Sequence, residues 1–203
     1  MAELQTLRAS HPLVSYEPAF AALGRDTGGD LTVEVEATGS STDLRLDPEG
    51  PARGVAEAVL GAPLPVLPGT WTSTEDGEIA WLGPDEWLVT SRRARPHAGE
   101  STLRDLVAAD GGAAVDVTGQ RVALRLRGRL ARELLAFGCA LDLHPRAFPA
   151  GRCAQTLLGQ AHVLLVALGH GDDYLIHVRC SFAGYLADWL LDAATELRPA
   201  PAL

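Results

Sequence analysis

Hydrophobic and polar positions alternate along several short segments of this chain, as they do in strands that bury one face. The clearest alternation predicts strands at residues 31–36, 79–82, 86–90 and 122–126. A continuous apolar run at 163–168 instead predicts a central strand that is buried on both faces. The chain is therefore expected to be rich in short strands.

Apolar residues at helical spacing separate these strands, and they predict helices at 51–60, 101–109, 129–137 and 181–194. In the first helix, Val55, Val59 and Leu60 are expected on the buried face. The last helix carries a five-residue apolar stripe: Phe182, Tyr185, Leu186, Trp189 and Leu190. Repeated strand-strand-helix units predict an α+β fold, with helices packed on a mainly antiparallel sheet.

One pentad of two acids, an aromatic and two aliphatics occurs twice, as Asp85-Glu86-Trp87-Leu88-Val89 and Asp172-Asp173-Tyr174-Leu175-Ile176. A glycine precedes each copy, Gly83 in the first and Gly171 in the second, and each copy leads towards a predicted helix. Two copies of turn, strand and helix indicate a duplicated module. The prediction is an N-terminal arm at 1–30, a first α+β module at 31–112 and a second at 113–203.

Proline and glycine punctuate the first thirty residues, at Pro12, Pro18, Gly24, Gly28 and Gly29. Such residues interrupt regular structure. The arm is therefore predicted to be extended and partly irregular.

Charge and composition exclude several classes of function. The chain of 203 residues carries a net charge of −9 and contains no lysine. Schiff-base catalysis and a phosphate-binding P-loop both need a lysine amine, so neither is available. An acidic balance also argues against nucleic-acid binding.

A basic cluster of arginines occurs at 121, 125, 127, 129 and 132. It is interpreted mainly as the polar face of a strand. The alternatives are a phosphate or RNA site and a docking face for an acidic partner.

The three cysteines, Cys139, Cys153 and Cys180, are widely spaced and form no C-x-x-C motif. They are expected to be buried small apolar residues.

No apolar run approaches the length that spans a bilayer, and the N-terminal residues show no secretory signal pattern. We therefore expect a cytoplasmic protein that contacts no membrane.

Candidate catalytic groups are sparse. His162, His170 and His177 lie in or beside predicted strands, but they lack the spacing of a metal site, and ordinary histidines are the favoured interpretation. The acids at 85–86 and 172–173 lie in predicted turns, and neighbours on a strand point to opposite faces. The pairs are therefore expected to cap turns. No catalytic, cofactor-binding or metal-ligating residue is assigned from the pattern.

Four tryptophans are more informative. Trp87 and Trp189 are expected in the core, whereas Trp71, in a polar segment, is a candidate for a partner interface. A folate site would need a carboxylate for the pterin nitrogens and an adjacent aromatic ring. Asp116, or Glu86 with Trp87, are the candidates for that role.

Four groups of residues, in the same order along the chain, resemble the gamma subunit of heterotetrameric sarcosine oxidase, and the resemblance covers roughly residues 10–195. They are residues 81–89, 115–121, 142–151 and the pair of segments 179–183 and 188–190. Cys180 departs from the arginine-serine-phenylalanine run expected there. Residues 115–124 and Gly128 are also similar to a segment of the folate-binding aminomethyltransferase of the glycine cleavage system.

The resemblance implies an accessory subunit, itself without cofactors, of a complex that oxidises sarcosine to glycine and produces hydrogen peroxide. The one-carbon unit would pass to tetrahydrofolate or leave as formaldehyde. Larger alpha and beta subunits would hold FAD, FMN, NAD and tetrahydrofolate, and a small delta subunit would complete the complex. The alternatives are a free-standing folate-binding or aminomethyl-transfer protein, and a scaffold for some other partner.

Overall fold

Short strands and amphipathic helices alternate along the chain in the computed structural model, which describes residues 11–37, 39–169 and 172–197. The strands in this part of the chain are β1 (Thr32–Glu36), β2 (Ser40–Arg45), β3 (Trp71–Ser73), β4 (Glu78–Gly83), β5 (Glu86–Ser91), β6 (Ala113–Asp116), β7 (Arg121–Arg127), β8 (Cys153–Leu158), β9 (Ala161–Ala167) and β10 (Asp173–Arg179). The α-helices are α1 (Glu17–Asp26), α2 (Ala52–Leu60), α3 (Ala98–Val107), α4 (Ala131–Ala136) and α5 (Ala183–Ala193).

The strands form two five-stranded sheets in which every neighbouring pair is antiparallel. Sheet I has the order β1-β7-β10-β9-β8, and sheet II has the order β3-β4-β5-β2-β6. The two pentads fall in β10 and β5, each the central strand of its sheet. The predicted α+β class, with helices on antiparallel sheet, is confirmed.

The duplication is visible in the order of the elements. The order strand, strand, helix, three strands, helix occurs from β1 to α3 and again from β6 to α5. The first strand of each repeat joins the sheet of the other repeat, since β1 pairs with β7 and β6 pairs with β2. The two halves are therefore interlocked. The division of the chain into a first module at 31–112 and a second at 113–203 stays a prediction.

Three apolar layers hold the sheets and helices together. Sheet I buries its outer face against α1, α4 and α5, where Leu134, Ile176 and Leu186 are fully covered. Sheet II buries its outer face against α2 and α3, with Trp87 and Leu103 inside. The third layer lies between the sheets. Burial of these alternating faces is the main favourable contribution to folding.

The prediction of an irregular arm is wrong for the described part of residues 1–30, because α1 occupies 17–26. Pro18 lies in the first turn, where a helix needs no N–H donor. Phe20 and Leu23 are buried, and they hold the helix against β1 and sheet I. Residues 1–10 lie outside the described part.

Two predicted helix faces also need correction. In α2 the buried residues are Ala52 and Ala56, while Val55 and Val59 are 47% and 48% exposed. The face that α2 buries is therefore formed by small alanines, and the valines beside it stay half exposed. In the last helix Leu186 and Leu190 are buried as predicted, but Phe182 and Tyr185 are 42% and 37% exposed.

Candidate functional site

The layer between the two sheets is apolar at its centre and charged towards its ends. Its buried residues are Ala80, Leu88, Ala123, Cys153, Leu164, Val166 and Leu175. Side chains on one face of a strand recur every second residue, so the apolar positions of β7 and β10 continue into charged residues on the same face. These charged ends are where a functional site would lie.

Among the described residues, Glu78 of sheet II and His177 of sheet I form the most buried contact between a carboxylate and a basic side chain. Their side chains are 5% and 3% exposed, and Oε1 of Glu78 lies 3.3 Å from Nε2 of His177. Burial by itself would raise the pKa of Glu78, but the contacts with His177, Thr90 and Arg92 outweigh it and hold the pKa below its ordinary value. Glu78 is therefore stabilised as a carboxylate.

A network of ion pairs extends from the contact between Glu78 and His177 to the edge of sheet I. Arg92 lies 3.5 Å from Glu78 and 3.6 Å from Glu36. Arg125 lies 3.4 Å from Glu36 and donates two hydrogen bonds to the carboxylate of Asp173, at 2.9 and 2.7 Å. Bidentate pairing of this kind fixes geometry as well as charge. This network of ion pairs connects β1, β4, β7 and β10. We interpret it as a structural contact that holds the two sheets together.

Because the pKa of folded Glu78 is lowered, its carboxylate contributes stability above the ordinary pKa of 4.5, and this contribution is lost as the pH falls through the lower folded value. Replacing Glu78 with glutamine is expected to lower the free energy of unfolding by about 2 kcal/mol at neutral pH. The difference from wild type should shrink on acidification, as measured by urea unfolding at a series of pH values.

Glu75→Gln is the matched control. The side chain of Glu75 is 92% exposed, and its ion pair with Arg93, at 3.8 Å, lies at the surface. An exposed pair of this kind contributes little, so the control should follow wild type at every pH. A Glu78→Gln deficit that stays constant down to acid pH would contradict the assignment.

The two acidic pairs do not combine into sites. Glu86 pairs with Arg45 at 2.6 Å, whereas Asp85 is exposed. Asp173 pairs with Arg125, whereas Asp172 is exposed. Gly171 and His170 lie outside the described residues.

The candidates for a folate site are separated in the structure. Trp87 is fully buried in the outer core of sheet II, where its Nε1 donates to the carbonyl oxygen of Pro65 at 2.8 Å. Glu86 precedes it on β5 and therefore points to the opposite face. Trp87 is thus unable to stack beside a ligand that Glu86 holds.

Asp116, the other carboxylate candidate, is engaged at the end of β6. It accepts hydrogen bonds from the backbone nitrogens of His97, at 2.6 Å, and Thr118, at 3.1 Å, and from the Thr118 hydroxyl. Burial by itself would raise the pKa of Asp116. The hydrogen bonds from His97 and Thr118 outweigh that effect, so the pKa of this carboxyl lies below its ordinary value. Asp116 therefore closes the turn into β7 and the start of α3.

Trp71 makes contacts inside the fold, and its role at a partner interface stays a prediction. It begins β3, is only partly exposed, and packs in the layer between the sheets. Its Nε1 donates to the carbonyl oxygen of Ala167 on β9 at 3.0 Å. The ring thus connects the edge of sheet II to sheet I. The polar residues around it in the sequence gave no sign of this contact.

The histidines and cysteines are dispersed. His162 is exposed and His177 is buried, and within the described ranges no three metal-ligating side chains form a cluster. Cys153 is buried as expected, and burial raises the pKa of its thiol to about 11. Cys139 and Cys180 are half-buried, so the expectation of burial is wrong for them. A thiol held protonated at neutral pH is a poor nucleophile.

The first three members of the arginine cluster, Arg121, Arg125 and Arg127, lie on one face of β7 as predicted, whereas Arg129 and Arg132 follow the strand. Arg125 and Arg127 contact acids on β1 and β10, and Arg129 lies 2.7 Å from Asp30. Arg121 differs, since its Nε is buried and has no hydrogen-bond partner in the described structure.

Comparison with known proteins places this fold and these segments in one family. The model of the Sarcosine oxidase, gamma subunit family matches residues 45–196. The "Sarcosine oxidase subunit gamma" of Arthrobacter sp. is 34% identical over 84% of this chain and 83% of its own length. The chain belongs to the sarcosine oxidase gamma subunit family. A second gamma subunit, from Corynebacterium sp. (strain P-1), is 34% identical over 86% of the chain and 85% of its own length.

Solved structures agree with this membership. A chain of the heterotetrameric sarcosine oxidase from Corynebacterium sp. U-96, in complex with pyrrole 2-carboxylate, is 28% identical with a TM-score of 0.85. The match covers 96% of this gamma-family chain and 99% of that chain. The glycine cleavage system aminomethyltransferase T from Bartonella henselae shares the fold at 14% identity, with a TM-score of 0.57 over 83% of this chain and 48% of that one. The expected similarity to that fold is confirmed.

In the described part of this gamma-family chain, no helix combines the length and apolar character needed to cross a bilayer.

Proposed function

We propose that this gamma-family chain is a non-catalytic accessory subunit of a heterotetrameric sarcosine oxidase. The complex oxidises sarcosine to glycine and forms hydrogen peroxide, and the one-carbon unit passes to tetrahydrofolate or leaves as formaldehyde. The chain's part is to fold into the interlocked sandwich and to present its surface to the other subunits. It works in the cytoplasm.

The partners in this proposal are larger alpha and beta subunits and a small delta subunit. They hold FAD, FMN, NAD and tetrahydrofolate, and this chain holds none of them. The proposal agrees with the absence of lysine and of glycine-rich dinucleotide or phosphate motifs in the sequence.

The observation that carries the proposal is the match to gamma subunits over more than four fifths of the chain. The internal contacts of the acidic and aromatic candidates support it further. Glu86 is paired with Arg45, Trp87 is fully buried, and Asp116 closes a turn. A side chain that is already engaged inside the fold is a poor candidate for binding a cofactor.

Reconstitution tests the reaction. The four chains are expressed together, and peroxide formation is measured with sarcosine as substrate. We expect the complex to produce peroxide with the wild-type chain and to keep at least about half of that rate with Glu86→Gln, because Glu86 makes an exposed pair of little energetic weight. An assembled complex that produced no peroxide from sarcosine would contradict the reaction. Loss of activity with Glu86→Gln in a complex of unchanged composition would contradict the non-catalytic role.

The shared fold of aminomethyltransferase T favours one rival, a chain that binds folate by itself. We expect titration of the purified chain with tetrahydrofolate, followed by calorimetry, to give no saturable heat in the micromolar range. Saturable binding by the isolated chain that Asp116→Asn abolishes would favour the rival and overturn the accessory role.

A further inference from the structure

A cavity of about 420 Å³ opens at the end of sheet I, on the face that continues from the layer between the sheets. Its lining includes Arg121, Arg179, His162, Gln155, Thr156 and Phe182. The residues come from four neighbouring strands and from the short 3-10 turn Cys180–Phe182. A cavity of this size is within the range of roughly 300–1,000 Å³ for small-molecule sites.

The two guanidinium groups of this cavity belong to residues that lie directly opposite each other. Arg121 of β7 and Arg179 of β10 are cross-strand partners. His162 of β9 lies in the same row, because its neighbour Val163 pairs with Val178. Like charges placed directly opposite on neighbouring strands are unfavourable unless an anion lies between them. A sheet position of this kind is therefore a recognisable place for a negative ligand.

Neither arginine has the internal partner that its neighbours have. Arg125 and Arg127 each contact carboxylates, whereas in the described structure no carboxylate lies within 4.0 Å of Arg121 or Arg179. The Nε of Arg121 is buried without a hydrogen-bond partner. Burial and the charge of Arg179 lower the pKa of Arg121, and the more distant Asp43 and Glu86 offset this only in part. An unpaired buried donor is uncommon in folded proteins.

We propose that this cavity binds a small organic oxyanion, a carboxylate or a phosphate ester, between the guanidinium groups of Arg121 and Arg179. Guanidinium N–H groups match the two oxygens of such a group in a bidentate arrangement. Phe182, which is 42% exposed at the rim, supplies an apolar surface for the rest of the molecule. All the groups that would hold this ligand belong to this chain, so the proposal goes beyond the accessory role.

The test uses the full purified chain and two probes, inorganic phosphate and succinate, at constant ionic strength set with chloride. Side-chain NMR signals of the arginines and the melting temperature are followed. We expect saturable shifts of the Arg121 Nε–H signal and a rise in melting temperature with one or both probes. Arg179→Gln should weaken binding about tenfold or more, since a charge-assisted hydrogen bond is lost. Phosphate and succinate responses distinguish the two anion classes.

Arg127→Gln is the matched control, because it removes one positive charge from the same strand at a residue that is already paired. The proposal requires this variant to bind the probes as wild type does. It is overturned if neither probe shifts the Arg121 signal, or if Arg127→Gln weakens binding as much as Arg179→Gln does. Engagement of Arg121 only by an acidic segment of another subunit would also overturn it. Arg179 is exposed, so its variant should fold even where an Arg121 variant does not.

Discussion

Replacing Trp87 with alanine is expected to lower the free energy of unfolding by about 4 kcal/mol, since it empties the centre of sheet II. The ring is fully buried among residues of β2, α2 and α3. Its Nε1 also donates to Pro65, which ties the proline-rich segment after α2 to the sheet. Urea unfolding followed by circular dichroism measures the loss, because fluorescence would change with the tryptophan itself.

Two variants make this result specific. Trp87→Phe keeps most of the apolar volume and loses the hydrogen bond to Pro65, so we expect a smaller loss of about 1.5 kcal/mol. Phe137→Ala removes an aromatic ring that is 52% exposed, and it should cost less than about 1 kcal/mol. A loss for Trp87→Ala no larger than that for Phe137→Ala would contradict the central position of Trp87.

Gly128→Ala is expected to cost at least about 3 kcal/mol. Gly128 has a φ of +113°, which side-chain-bearing residues rarely adopt, and an added Cβ would overlap the backbone carbonyl of Asp30. The glycine lies where the chain leaves β7 beside the start of β1, and its nitrogen donates to Asp172 at 2.9 Å. The substitution would therefore push β1 away from the strand with which it pairs.

Gly111→Ala separates backbone strain from the overlap with Asp30. Gly111 has a φ of +75°, but an added Cβ would meet no atom within 4 Å. Its cost should be about 1 kcal/mol, the conformational penalty alone. Equal losses for the two alanine variants, measured by thermal unfolding, would contradict the close approach of Gly128 to Asp30.

Local pattern was sufficient to predict most of the secondary structure. The two pentads are the central strands β10 and β5, and the apolar run at 163–168 matches β9, which lies between two strands and is buried on both faces. Alternation reports which face of a strand is buried, because side chains point to opposite sides. The buried face of each strand can therefore be predicted from the residues of that strand alone.

Pairing over long sequence distances left no local pattern. Alternation in β1 is compatible with any neighbour, so the exchange of β1 and β6 between the sheets was not predictable from it. The contact between Glu78 and His177 and the cross-strand pair of Arg121 and Arg179 depend on that packing. Helix α1 was missed because Pro18 and Gly24 obscured a short apolar stripe.

The central claim is that this chain works only within a larger oxidase. Affinity capture of the tagged wild-type chain from its own cells, with identification of every protein that elutes and a flavin absorbance spectrum of the eluate, tests this claim most directly. We predict equimolar recovery of larger flavin-binding chains, and sarcosine-dependent peroxide formation by the eluate. Recovery of the chain alone, without flavin absorbance, would contradict the account.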